Sequence, residues 1–134
     1  AKEIGVYENV KYLGVKPKEE IPNIINKADV GLSSLPPIES FKMSTPTKIT
    51  EYLSVEIPVI ANEEIDYQRI VLRKSGGGFA VPYNPDIFAE KIKYLLDNPK
   101  KANEMGMKGK MWVEKNLKYK ILVDELEKKY FEFI

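Results

Sequence analysis

Short apolar runs alternate with stretches of helical periodicity over the first two thirds of the chain. "VKYLGV" (residues 10–15), "DVGLSS" (29–34), "IPVIA" (57–61) and "FAVPY" (79–83) are too short for amphipathic helices, and "IPVIA" is the compact, β-branched kind of strand that is buried on both faces. Between them, Ile21, Ile24, Ile25 and Ala28 fall at helical spacing behind Pro17, with Glu19 and Glu20 in the opening turn. A second helix is expected over about residues 46–55. A third, "EEIDYQRIVLRKS", carries Ile65, Ile70, Val71 and Leu72 and is ended by Gly76, Gly77 and Gly78. Strand, helix, strand repeated in this way predicts a parallel sheet joined by right-handed crossovers.

The rhythm then stops. From Pro85 onward "PDIFAEKIKYLLDN", "PKKANEMGMKGKMWVEKN" and "KYKILVDELEKKYFEFI" read as three consecutive helices, divided at Asn98-Pro99 and near Asn116. The segment "IESFKM", which follows Pro36 and Pro37, reads as a loop. With 134 residues, 43% of them hydrophobic and 31% charged, there is material for one core. The expected architecture is a single α/β domain, Rossmann-like, with a helical tail over 85–134.

Composition removes several kinds of chemistry. The chain has no cysteine and no histidine, which excludes disulfides, thiolate nucleophiles, a Ser-His-Asp arrangement and the usual zinc ligands. A reducing cytoplasm is compatible with this usage. The 21 basic and 20 acidic residues leave a net charge of +1, too little for a field that would draw the chain onto nucleic acid. No apolar run approaches the roughly 20 residues that a bilayer span needs.

In open parallel sheets, ligands bind beyond the carboxyl ends of the strands, where a loop meets the start of the next helix. Three places therefore matter: after Gly14, between Ser33 and Lys48, and after Ala61. The second is the richest. In "STPTKITEYL", Thr45 is expected as N-cap and Pro46 at the first helical position, so the free N–H groups of Thr47 and Lys48 would point outward with a partial positive charge. Lys48 adds a full charge, and the hydroxyls of Ser44, Thr45 and Thr47 add donors without bulk, which suits a diphosphate. Glu51, one turn deeper, could hold the two hydroxyls of a ribose. The same residues also fit a capped core helix, with Ile49 and Leu53 inward and Lys48 and Glu51 in water.

The blocks "VKYLGV", "IPNIINKADVGLSSL", "STPTKITEYLSVEIPVIAN" and "GGGFAVPY", in this order, resemble the C-terminal, donor-binding half of retaining glycosyltransferases of the GT-B type, the group 1 glycosyl transferases. The most specific piece is "PTKITEYLSVEIPVIA". The resemblance covers nearly the whole chain and implies an incomplete GT-B C-terminal domain. It also implies a parent enzyme that transfers a hexosyl unit from a nucleotide-sugar, such as a UDP- or GDP-hexose, to a glycan or lipid-linked acceptor. No further cofactor and no metal are implied. Cell-surface polysaccharide or glycoconjugate synthesis in the cytoplasm, at the cytoplasmic face of the membrane through the parent protein, is the setting implied.

By the same resemblance, Glu51 matches the ribose ligand, residues 44–48 the diphosphate cradle, and Gly14 and Val15 the loop that meets the nucleobase. Met43 stands where many members carry a second glutamate facing the donor sugar. Glu56 stands where the family has a glycine. The acceptor domain and the loop that neutralises the leaving phosphate match nothing in this chain, so the expectation is a fragment without turnover of its own. In the family's sheet order the strand at 10–15 would lie two strands away from the one at 29–34. Exposed strand edges, or the last helix, would then offer a surface for a second copy.

Other features have plainer readings. The triple glycine precedes a strand and matches no phosphate-loop pattern, so it reads as a flexible turn. The acid pairs Asp86 with Glu90 and Glu19 with Glu20 read as solvated helix faces. Trp112 and Met111, beside Val113, read as core. In the last helix Leu122, Leu126, Tyr130 and Phe133, broadened by Ile121, Phe131 and Ile134, form an apolar stripe that fits packing on its own sheet or an interdomain contact. A nucleotide-sugar epimerase built on the same fold is one alternative function. A non-catalytic, receiver-like interaction module is another, although Asp29 opens its strand and Asp66 falls in a helix, away from the strand ends that a receiver needs.

Overall fold

A computed structural model of the chain describes residue 3 and residues 5–132, apart from the side chain of Tyr119. After 3-10 turns at Tyr7–Asn9 and Lys18–Glu20, the regular elements are α1 (Ile21–Ile25), β1 (Gly31–Ser33), α2 (Glu39–Lys42), α3 (Lys48–Ser54), β2 (Val59–Asn62), α4 (Asp66–Ser75), β3 (Gly78–Val81), α5 (Pro85–Asp97), α6 (Pro99–Asn116) and α7 (Tyr119–Glu132). The three strands are parallel and lie in the order β1-β2-β3, with Gly31 opposite Val59 and Val59 opposite Gly78. This is a Rossmann-like α/β sheet with flanking helices and a helical C-terminal tail.

The two sheet faces bury different sets of side chains. On one face Val59 and Ala61 pack with Ile49 and Leu53 of α3 and with Val71 and Leu72 of α4, and Trp112 and Val113 of α6 close that cluster. On the other face Ile60 and Val81 pack with Phe88 and Leu95 of α5 and with Ala102 of α6. Both crossover helices, α3 and α4, thus lie on one side, as the handedness rule requires when parallel strands are added in one direction. Every residue of β2 is buried, the burial expected of a central strand covered on both faces.

Small residues set how closely the layers approach. A side chain at Gly31 would meet the Tyr52 ring at 2.5 Å, and one at Gly78 would fall on the backbone oxygen of Val59 at 1.8 Å. Gly76 takes φ +63° and closes α4 in a left-handed cap. The triple glycine is therefore a helix stop followed by a tight strand contact. A flexible turn describes it poorly.

Several further expectations need correction. Residues 10–15 form no strand; Tyr12 and Val15 are almost fully exposed, and among the described residues no hydrogen bond ties residues 11–16 to the rest of the chain. Alternating side chains make a strand only beside a neighbour that completes its ladder, and this segment has none. Gly14 does make the expected turn, at φ +68°. "IESFKM" contains a one-turn helix, α2, bracketed by the Glu39–Lys42 ion pair at 3.1 Å. The helix expected from residue 46 begins at Lys48, with Thr47 and not Thr45 as N-cap and no side-chain cap. The carbonyl of Thr47 accepts the first helical N–H, from Glu51 at 3.0 Å, so Pro46 lies ahead of the helix and not in its first turn.

The tail agrees with the sequence at both of its divisions. Trp112 and Val113 are partly buried, whereas Met111 is exposed. On α7, Leu122, Leu126, Tyr130 and Phe131 are exposed; Phe133 and Ile134 lie outside the described residues.

Candidate functional site

The stretch between β1 and α3 ends in an open helix tip. Thr45, Thr47, Lys48 and Glu51 are exposed, and Ser44 is half-buried. The Ser44 hydroxyl donates to the Phe41 carbonyl at 2.7 Å, and the Thr50 hydroxyl donates to the Thr47 carbonyl at 2.8 Å. The hydroxyls of Thr45 and Thr47, the Lys48 ammonium and the Glu51 carboxylate have no hydrogen-bond or ion-pair partner among the described residues. With the N–H groups of Lys48, Ile49 and Thr50 left over by the first helical turn, these groups could meet an anion with neutral donors, one cation and a dipole end. A carboxylate stands one turn away.

Glu51 borders a shallow depression of about 390 Å³ shared with Thr50, Ser54, Tyr67, Val113, Leu117 and Leu122. Its floor is formed where α3, α4 and the junction of α6 with α7 converge. Tyr52 stacks inward on Gly31; burial first, and then the neighbouring Glu51 charge, push its phenol above the ordinary tyrosine range. Tyr67 is raised by burial alone.

Other site expectations are not gathered here. Met43 is 84% exposed, ahead of the tip in the same loop. Gly14 has no atom within 4 Å of where a side chain would begin, and Val15 is 97% exposed. A second cavity, of about 410 Å³, lies against the opposite face of the sheet between Leu32, Ser34, Tyr83 and α5, and none of Gly14, Val15, Met43, Ser44, Thr45, Thr47, Lys48 and Glu51 lines it.

The carboxyl ends of the strands are instead held by a polar network absent from the expectations. Gln68, at 0% exposure, stands at its centre. Its Oε1 accepts from the Ser33 hydroxyl at 2.5 Å, and its Nε2 donates to both the carbonyl and Oδ1 of Asn62 at 3.1 Å. Asn62 Oδ1 also accepts from the Leu35 N–H at 3.0 Å, and Asn62 Nδ2 donates to Glu64 Oε2 at 3.1 Å. Glu64 Oε1 then accepts from the Tyr83 N–H at 2.8 Å. Burial by itself would raise the Glu64 carboxyl, but hydrogen bonds from Tyr83, from its own N–H and from Asn62 outweigh burial and hold it below the ordinary range. The network links the ends of β1, β2 and β3. The sequence pointed to the position after Ala61 and gave no sign of which residues act there, since a buried amide leaves no trace in an apolar pattern.

Among the described residues no helix is long and apolar enough to cross a membrane. Of the known protein families, the one described as glycosyl transferases group 1 matches residues 1–112. No curated protein and no solved structure matches the chain.

Proposed function

The chain belongs to the glycosyl transferases group 1 family, and from that premise we propose that it is the donor-binding part of a glycosyltransferase whose nucleotide-sugar docks at the start of α3. Glycosyl transfer is the class of chemistry that membership carries. The finer assignment is our reading: the hydroxyls of Thr45 and Thr47, the N–H groups at the start of α3 and Lys48 hold the diphosphate, beside Ser44, whose own N–H and hydroxyl both donate to the Phe41 carbonyl. Glu51 holds the ribose diol, Gly14 and Val15 approach the base, and Met43 lies toward the sugar. The observation that supports it best is the unpartnered tip, where a cation, free hydroxyls and a carboxylate one turn apart all face solvent.

The transferred unit is a hexosyl group, the acceptor a glycan or a lipid-linked molecule, and the setting cell-surface polysaccharide or glycoconjugate synthesis at the cytoplasmic face of the membrane. Acceptor binding and leaving-group neutralisation belong to other parts of the parent protein, so this chain alone is expected to show no transfer. The epimerase and receiver-like readings have no observation of their own in favour.

Calorimetric titration with UDP, GDP and ADP tests the reading. One nucleotide is expected to bind, and Glu51→Ala to weaken it by about tenfold or more, the scale of a lost charge-assisted hydrogen bond. Because Glu51 is exposed, the variant keeps its fold, checked by circular dichroism. Binding of none of the three by the wild type, or equal binding by the variant, would overturn the assignment.

A further inference from the structure

The loop that leads from β1 to the tip of α3 is tied to the sheet at its second residue, Leu35. The Leu35 N–H donates to Asn62 Oδ1 at 3.0 Å, and Asn62 is fully buried. Its amide is fixed in turn: Oδ1 receives Gln68 Nε2, and Nδ2 reaches Glu64. An asparagine held from both ends of its amide has one orientation available, and that orientation presents an acceptor to the loop. No buried polar side-chain atom among the described residues lacks a partner, so the network is complete without a ligand.

We propose that Asn62, oriented by Gln68, is a positioning residue for the nucleotide-sugar site: it sets where residues 35–47 leave the sheet and so where the tip of α3 presents its groups. The proposal rests on the donor-binding reading for its functional half. Its structural half, the anchoring of the loop, stands or falls alone.

Native-state amide hydrogen exchange separates the two. In the wild type the Leu35 amide must be protected; exchange at the open-chain rate would overturn the proposal before any variant is made. In Asn62→Ala, Leu35 is expected to exchange about tenfold faster relative to Ile60 of the central strand, a local loss on the scale of one net hydrogen bond. Leu95→Val, a core change at the opposite end of the sheet, is expected to move Leu35 and Ile60 together. If Leu35 follows Ile60 in Asn62→Ala as well, the anchor is refuted.

Calorimetry with UDP and GDP on the same proteins is the second arm. Asn62→Ala is expected to weaken binding by about tenfold, with Leu95→Val close to the wild type. Equal weakening in Leu95→Val would reduce Asn62 to a stability role and overturn the positioning claim. Absence of binding in the wild type would sink the donor-binding reading, and with it the functional half, while the exchange data still decide the anchor.

Discussion

Glu56 concentrates much of what a single residue can disclose. It follows the C-cap Val55 at φ +64°, in the left-handed region that non-glycine residues rarely occupy. The Glu56 N–H bonds the Leu53 carbonyl at 3.1 Å and the Ile57 N–H bonds the Tyr52 carbonyl at 3.0 Å, the paired bonds of a Schellman turn. The geometry is therefore the one for which the family's glycine is suited, and the glutamate adopts it under strain. Its carboxylate reaches Lys110 at 2.7 Å on the surface, and that contact, first through the hydrogen bond and then through the charge, raises the lysine's pKa. An exposed pair of this kind contributes too little to reverse the balance. Relief of a left-handed non-glycine, less the added freedom of glycine in the unfolded chain, predicts that Glu56→Gly stabilises the domain by about 0.5–1 kcal/mol. Chemical denaturation measures it; a lowered midpoint would show that the ion pair outweighs the backbone.

At the scale of elements, α6 decides whether the wall behind Glu51 stays in place. It crosses α3 through Gly106 and Gly109: a side chain at Gly106 would lie 1.9 Å from the Glu56 carbonyl oxygen, and one at Gly109 would lie 2.4 Å from Leu53. The first obstacle is backbone and cannot rotate away, so Gly106→Ala must push α6 off the end of α3. A loss of about 1–3 kcal/mol is expected from such overpacking, read from denaturant midpoints, whereas the exposed Met107→Ala should stay within about 0.5 kcal/mol. An unchanged midpoint for Gly106→Ala would mean that the helices can part at no cost. This contact also marks the limit of what the sequence disclosed. Apolar periodicity located β2, α4, α5 and α6, because those elements bury an ordered stripe, and it located α7 as well, although the stripe of α7 is exposed. It passed over Gly106 and Gly109, whose role is the absence of a side chain, and over Gln68 and Asn62, which are buried but polar. That a helix begins near "STPTK" was legible from residue types, while its true start at Lys48 depended on which carbonyl accepts the first helical bond. That is a matter of backbone geometry and not of composition.

For the whole molecule, the question is which parts belong to the cooperative unit. The sheet and α3 to α6 share two interlocked clusters, so loss of one layer exposes the other, and they are expected to unfold together. Residues 10–15 are different. Their alternation was read as a strand, yet Val10, Tyr12, Leu13 and Val15 are all exposed, and the segment lacks the ladder partners that would convert its pattern into stability. Burial, not propensity, is what a strand contributes, and a segment with side chains as exposed as Tyr12 and Val15 contributes little to the folded state. Replacing Tyr12 and Val15 together by serine is therefore expected to leave the unfolding free energy within about 0.5 kcal/mol of the unaltered chain, the usual span for changes away from packed features. Paired denaturation curves at several protein concentrations check this. A loss well beyond that span at every concentration would mean that the segment packs on its own sheet. A loss that grows with concentration would mean that a second copy supplies the missing partner, because only association makes stability depend on the amount of protein present.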